Sequence, residues 1–237
     1  MKMLVLAGGF GTRLQSVVSE MPKALAPVGK TTFLYLQIEH WIAQGLKSFV
    51  FLLHHQADMI VNFLNAEKND LLKDCEFEWL IESVPMGTGG AVAYAVEQLK
   101  LSGDFLLTNA DTWLGTGIND VLQSGVSSMA VVYLSDASRY GQVQLDCQFQ
   151  VTAFSEKVEN KRPGWISAGL SHLDADLFKN WDGQPFSLEE VTFPMLVTKG
   201  DLVAVQLKTD FIDIGIPNDY HRFCRWVDSG REGKLCS

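Results

Sequence analysis

The run "SFVFLL", Ser48–Leu53, carries five consecutive apolar side chains, and neighbouring residues of a strand point to opposite faces. A strand that is apolar on both faces has to be covered on both sides, as happens in parallel sheets flanked by helices. The segments around it repeat the demand. Met3–Ala7 reads as a buried strand, "TTFLYLQIEHWIAQG" as a helix ended by Gly45, Ala57–Asn65 as a second helix and Glu76–Ile81 as a third strand. A helix at Gly90–Leu99, a strand at Phe105–Thr108, a short helix near Ile118–Gln123 and a strand at Met129–Leu134 continue the alternation. The pattern predicts an α/β protein with a Rossmann-like, mostly parallel sheet covered by helices on both faces. Ligands of such sheets collect outside the carboxyl ends of the strands, which places the loops at Gly8, Val84 and Asp111 on one rim.

After Leu134 the rhythm changes. "YGQVQLD", "VTAFSEK" and "GWISAGLSHLD" read as short strands separated by turns, making the sheet mixed and adding a small β-rich portion. A helix around Leu188–Val197, a strand Leu202–Lys208 and a helix Asn218–Trp226 follow. No repeat or low-complexity linker interrupts the chain, and its tail has no hexapeptide repeat of the β-helix type. It reads as a single domain, 1–237, with halves of about 1–134 and 135–237.

The net charge is −9, which argues against a nucleic-acid partner, because such a protein needs a basic face. No apolar run is long enough to span a bilayer and the first residues lack the layout of a secretion signal, so no membrane partner is expected. Cys75, Cys147, Cys224 and Cys236 have no paired spacing for zinc or redox work, and are expected to be reduced thiols of a cytoplasmic protein. Oligomeric state leaves no mark on the sequence.

Against this acidic background, "LVLAGGFGTRLQSVVSEMPKALAPV" supplies two cations directly after a strand. Gly9-Phe10-Gly11-Thr12-Arg13 is followed by Leu14, so the third glycine of a dinucleotide fingerprint is missing, and Thr12-Arg13 does not fit a Walker A loop. A glycine-rich turn followed by Arg13 still makes a concave set of N–H donors beside a guanidinium fork, a combination suited to phosphate oxygens. The plain alternative is a tight strand-to-helix turn with incidental cations. Pro22 and Pro27 restrict the backbone around Lys23, as suits a lysine held in place, although on position alone it would be a solvated surface residue.

Two carboxylates follow strands or sit between apolar residues: Asp111 in "DFLLTNAD" and Asp213 in "FIDIG". Carboxylates so placed seek a metal or another partner, Mg²⁺ being one that also takes phosphate oxygens; a helix cap or a paired buried acid is the competing reading. In "ESVPMGTGGAV" the glycines allow backbone to approach a flat ring. Glu82 can accept from a base edge, matching the adjacent N1–H and N2–H donors of guanine but also the single N–H of uracil. Glu156 and Lys157 serve one ligand only if their strand ends or bends there, and an exposed ion pair is the plain alternative.

Five blocks in order, "LAGGFGTRL…MPKALAPV", "ESVPMGTGGAV", "LLTNADTW", "FSEK" with "SAGL", and "FIDIGIPNDY", resemble the sugar-1-phosphate nucleotidyltransferases over nearly the whole chain. The resemblance implies a nucleoside triphosphate held by Leu6, Gly8, Gly9, Gly11, Thr12, Arg13, Lys23, Glu82, Gly87 and Thr88. It also implies Mg²⁺ on Asp111 and Asp213, and catalysis by Arg13, Lys23 and Asp111. Asn109, Gly141, Glu156, Lys157, Ser167 and Gly169 would contact the sugar 1-phosphate. The tryptophans mostly read as core, with Trp113, just past Asp111, placed to border the sugar pocket instead. His54 and His55 read as structural or surface residues.

Two positions depart from the family's habit. Ala110 stands where glycine is usual and Ser167 where asparagine is common. "FSLEE", "MGTGG" and "FIDIGIPNDY" most resemble guanylyltransferases of D-glycero-D-manno-heptose 1-phosphate and mannose 1-phosphate. The compact length favours the heptose branch of these GTP-using enzymes. A uridylyltransferase of N-acetylmuramate 1-phosphate and a catalytically silent sugar-nucleotide-binding relative remain the alternatives.

Overall fold

The computed structural model describes residues 1–14, 16–18, 20–155, 162–232 and 235. They form two compact units that interleave along the chain. The first comprises Met1–Pro85, Thr108–Trp113 and Ile212–Leu235; the second takes Met86–Leu107 and Leu114–Phe211.

The first unit is built on parallel strands β1 (Met3–Leu6), β4 (Ser48–Leu53) and β5 (Glu76–Ile81), between which lie the two-residue strands β2 (Pro27–Val28) and β3 (Thr31–Thr32). β1 pairs with β4 in the register Leu4↔Val50, and β4 with β5 as Phe51↔Trp79. Phe49 to Leu53 are all buried, as a two-faced apolar strand requires. Helix α1 (Phe33–Ala43) starts where Thr32 accepts a hydrogen bond from the Tyr35 N–H, and stops two residues short of Gly45, whose φ of +95° breaks the helical path. Helix α2 (Ala57–Glu67) runs two residues beyond the predicted end.

Helix α6 (Pro217–Asp228) begins at a proline whose missing N–H costs nothing at a helix start. Its Tyr220 and Phe223 join Phe33, Leu36, Trp113 and Ile214 in one apolar cluster. The Tyr220 hydroxyl donates to the Pro27 carbonyl, and burial, with Cys224 alongside, pushes its pKa up to about 12. Trp113 is 2% exposed and stacked on His40, so it belongs to this core. The expectation that it borders a sugar pocket is corrected: a ring packed among Phe223, Trp226 and His40 has no face left for a ligand.

In the second unit β8 (Ser128–Leu134) pairs antiparallel with β11 (Gly164–Asp174) and parallel with β12 (Val203–Leu207), while β9 (Gln142–Leu145) and β10 (Val151–Ser155) form an antiparallel pair. Strand β6 (Asp104–Asn109) gives its last two residues to the first unit, where the strand path is β6-β1-β4-β5; in the second it is β10-β9-β11-β6. The fold is thus a mixed, mostly parallel sheet with helices. Short strands β7 (Thr112–Leu114) and β13 (Phe211–Asp213), which periodicity does not reveal, pair with each other. Helices α4 (Ile118–Gln123) and α5 (Phe193–Lys199) complete the unit, α5 continuing from a π-helical turn at Leu188–Thr192.

Helix α3 (Gly87–Gln98) starts three residues earlier than predicted. Its first turn is held from outside: the Gly89 and Gly90 N–H groups donate to the Phe186 carbonyl at 2.9 and 3.2 Å. A Cβ on Gly89 would lie 2.1 Å from Phe186 Cε2, so the aromatic ring itself occupies the space that the glycine leaves.

Two outcomes follow from this packing. Gly89→Ala is expected to lower stability by about 1–3 kcal/mol in denaturant titration, and the loss should shrink in combination with Phe186→Leu. His172, 3% exposed, has Nε2 2.6 Å from Asp104 Oδ2 and Nδ1 3.1 Å from the Gly125 carbonyl. The bond from His172 holds the Asp104 carboxyl below its ordinary range. A lowered carboxyl stabilises the fold above its unfolded pKa of about 4, and that contribution vanishes as pH falls through the folded value. Melting curves from pH 6 to pH 2 should therefore fall less steeply below about pH 4 for Asp104→Asn than for the wild type.

Candidate active site

The first unit carries an open cleft of about 190 Å³ at the carboxyl end of β1. Leu6, Gly9, Gly11, Thr12, Arg13, Lys23 and Asp111 all line it. The glycines of the loop differ in what surrounds them. Gly11 has φ +61°, with Lys23 Cβ 3.3 Å from where its own Cβ would be, and a Cβ on Gly8 would meet His54 at 3.1 Å. A Cβ on Gly9 would meet nothing within 4 Å, so this glycine is free of steric demand from the protein. Thr12 and Arg13 are exposed in a single 3₁₀ turn, Thr12–Leu14, that Leu14 anchors in the core.

At Lys23 and Asp111, which line the cleft, three segments far apart in sequence meet. Lys23 Nζ donates to Asp111 Oδ2 at 2.6 Å and to Asp213 Oδ1 at 3.2 Å, and the lysine side chain is only 12% exposed. Two carboxylates thus share one ammonium, leaving the trio with a formal charge of −1. Asp111 lies in the Ala110–Asp111 turn that follows β6, and Asp213 ends β13. The Thr112 hydroxyl donates to Asp111 Oδ1 at 3.2 Å, the Gly215 N–H to Asp213 Oδ1 at 2.7 Å, and the Ile214 N–H to the Asp111 carbonyl at 3.0 Å. The Ala110 N–H donates to the Leu6 carbonyl, and its methyl is buried, so alanine fits the turn.

The remaining expected site residues are not among the residues lining this cleft. In the first unit, Asn109 ends β6, and Glu82 is buried, its N–H donating to the Leu53 carbonyl and its carbonyl 3.0 Å from His54 Nδ1. In the second unit, Gly87 has φ +71° at the start of α3, and the Thr88 hydroxyl donates to Glu189 and accepts from the Leu188 N–H. Gly169, with φ +74°, sits at the irregularity of β11 between Ser167 and Ser171, its N–H 3.5 Å from the Ser167 hydroxyl. Gly141 is exposed beside Tyr140. Glu156 and Lys157 lie outside the described residues.

Two contributors escape sequence reasoning. Gly215 stands within "FIDIG", where attention goes to the aspartate, yet a Cβ there would lie 2.8 Å from Asp213 Oδ1 and 2.9 Å from Lys23 Nζ. Gln37, 1% exposed on α1, donates through Nε2 to the carbonyls of Thr112 and Asn109 at 2.7 and 3.3 Å.

A family model described as nucleotidyl transferase matches residues 2–229. The chain belongs to the nucleotidyl transferase family. D-glycero-alpha-D-manno-heptose 1-phosphate guanylyltransferase of Campylobacter jejuni is 31% identical over 228 residues, covering 94% of this chain and 98% of that protein. Mannose-1-phosphate guanylyltransferase 1 of Arabidopsis thaliana is 30% identical over 98% of this chain, which spans 66% of that longer protein. Among solved structures, HddC from Yersinia pseudotuberculosis is 30% identical with a TM-score of 0.84, over 95% of this chain and 99% of that one. Its complex with GMP-PN gives a TM-score of 0.81 at 29% identity, with the same coverage of both chains.

Gly215→Ala is expected to push apart the Lys23–Asp213 pair. Displacing such groups by an ångström costs about 10²-fold in rate, so steady-state nucleotidyl transfer should fall by that order while the melting temperature stays near wild type.

Proposed function

We propose that this nucleotidyl transferase moves a guanylyl group from GTP to D-glycero-D-manno-heptose 1-phosphate, releasing pyrophosphate. The observation that carries the reading is the Lys23–Asp111–Asp213 trio, two of whose members line a cleft together with a glycine turn and Arg13. A phosphate oxygen of the sugar 1-phosphate attacks the α-phosphorus of GTP. The bond from that phosphorus to the bridging oxygen breaks, and pyrophosphate leaves. The attacking oxygen is already ionised at neutral pH, so the residues need only position and neutralise charge.

Arg13 and Lys23 take phosphate oxygens, with Gly8, Gly9, Gly11 and Thr12 allowing the backbone to come close, while Leu6 borders the nucleotide. Asp111 and Asp213 are the ligands for Mg²⁺. Among the described residues no cluster of three or more histidine, cysteine or acidic groups exists. Two carboxylates nevertheless suit this ion, which characteristically keeps water and takes phosphate oxygens for its other positions. That the pair already holds one cation between its oxygens supports the fit. When bound, Mg²⁺ neutralises charge developing on the phosphates.

Glu82 accepts from the guanine N1–H and N2–H, and Gly87 and Thr88 also serve the nucleotide. For Thr88 the contribution comes through backbone, because its hydroxyl is engaged with Glu189 and the Leu188 N–H. Asn109, Gly141, Glu156, Lys157, Ser167 and Gly169 serve the sugar phosphate. The heptose assignment is supported by the near end-to-end match with the Campylobacter jejuni enzyme, and the guanine assignment also by the GMP-PN complex of HddC. A nucleoside triphosphate as donor makes the cytoplasm the working compartment.

The test is pyrophosphate release with Mg²⁺, pairing each nucleoside triphosphate with heptose, mannose and N-acetylmuramate 1-phosphates. Turnover should be highest for GTP with the heptose, and Asp111→Ala should lower it by about 10²–10³-fold, the scale set by losing one electrostatic stabiliser. Turnover confined to UTP and N-acetylmuramate 1-phosphate would overturn the substrate. Nucleotide binding without pyrophosphate release from any pair would overturn the reaction and leave a sugar-nucleotide sensor.

A further inference from the structure

We propose that Gln37 is a positioning residue for nucleotidyl transfer, acting by clamping the turn that presents Asp111. The inference rests on the reading of Asp111 as a ligand for a divalent cation. α1 packs Phe33, Leu34, Leu36, Ile38 and Trp41 into the interior, each at most 6% exposed, and Gln37 sits among them at 1%. Its Oε1 is buried with no hydrogen-bond partner, a costly arrangement in an apolar interior. An apolar side chain of the same size would avoid that cost, so the amide is kept for what its other end does.

The Nε2 group spans the turn. Its two donors reach the carbonyls of Thr112 and Asn109, which flank Ala110–Asp111 on either side. Both contacts are carbonyl acceptors, so the amide orientation is determined by chemistry: only the NH₂ end can serve them. The turn's other backbone anchors, Ala110 N–H to Leu6 and Ile214 N–H to the Asp111 carbonyl, act on the turn residues themselves. Among the described residues, Gln37 is the side chain that bonds both the residue before and the residue after the turn. Without it, two carbonyls lose their donor and the carboxylate of Asp111 gains freedom relative to Asp213 and Lys23. Groups that orient a metal ligand commonly change metal affinity by 10–100-fold when removed.

The experiment compares wild type, Gln37→Met and Asp111→Ala by calorimetric titration with Mn²⁺ in the absence of nucleotide, together with melting curves and steady-state kinetics. Methionine keeps the length and volume of glutamine but has no donor. Gln37→Met is expected to bind Mn²⁺ at least about tenfold more weakly, the lower end of that range. Its kcat should fall in step, while the KM for the nucleotide stays at the wild-type value. A lower melting temperature with unchanged Mn²⁺ affinity and kcat would overturn the inference, because that is the signature of a purely structural glutamine. Wild-type Mn²⁺ binding that is the same in Asp111→Ala would sink the carboxylate site itself, and the inference with it. Should Gln37→Met fail to fold, Gln37→Asn keeps a polar amide one methylene too short to span both carbonyls and is expected to show the same loss.

Discussion

One ammonium group holds the centre of the first unit together. Lys23 comes from a proline-flanked stretch after β1, Asp111 from the turn after β6 and Asp213 from the end of β13, and among the described residues the lysine's two hydrogen bonds are what joins the three side chains. Two carboxylates brought close repel each other, and a cation between them turns that repulsion into attraction. The supporting contacts serve this meeting. Gly215 leaves room for Asp213 and Lys23, Thr112 and Gly215 each bond one carboxylate, and Ile214 bonds the main chain of the Asp111 turn.

The architecture was open to reading because its strongest signals are local. A strand apolar on both faces, such as Phe49–Leu53, can hardly be anything but an interior parallel strand, and its limits and those of β5 match the apolar run. Short elements resist the same treatment. Strands β7 and β13, three residues each, carry too little periodicity to be seen, although they deliver Thr112 and Asp213 to the site. Trp113 illustrates the limit from the other side: proximity in sequence to Asp111 suggested a ligand contact, whereas alternation along β7 turns its ring into the core.

Glycines were legible as a pattern and less so as a cause. Gly11, at φ +61°, and Gly8 are crowded by the neighbouring Lys23 and His54, whereas Gly9 meets nothing within 4 Å. In the "GTGG" run the flat ring that a glycine makes room for is Phe186, a residue almost a hundred positions away, which no local reading supplies. Gln37 was hidden for a related reason. A polar residue inside an amphipathic pattern looks like noise until the carbonyls it reaches, more than seventy residues downstream, are in view.

The lysine has one further consequence. Small metal-binding domains commonly cannot fold until their ion arrives, because the ligands repel and the site has no structure of its own. Here the polypeptide brings its own counter-ion. If the pair takes the proposed Mg²⁺, folding would be uncoupled from loading: the chain would mature before nucleotide or metal arrives, and a chelator that strips the site would leave behind an idle but intact molecule, ready to be charged again.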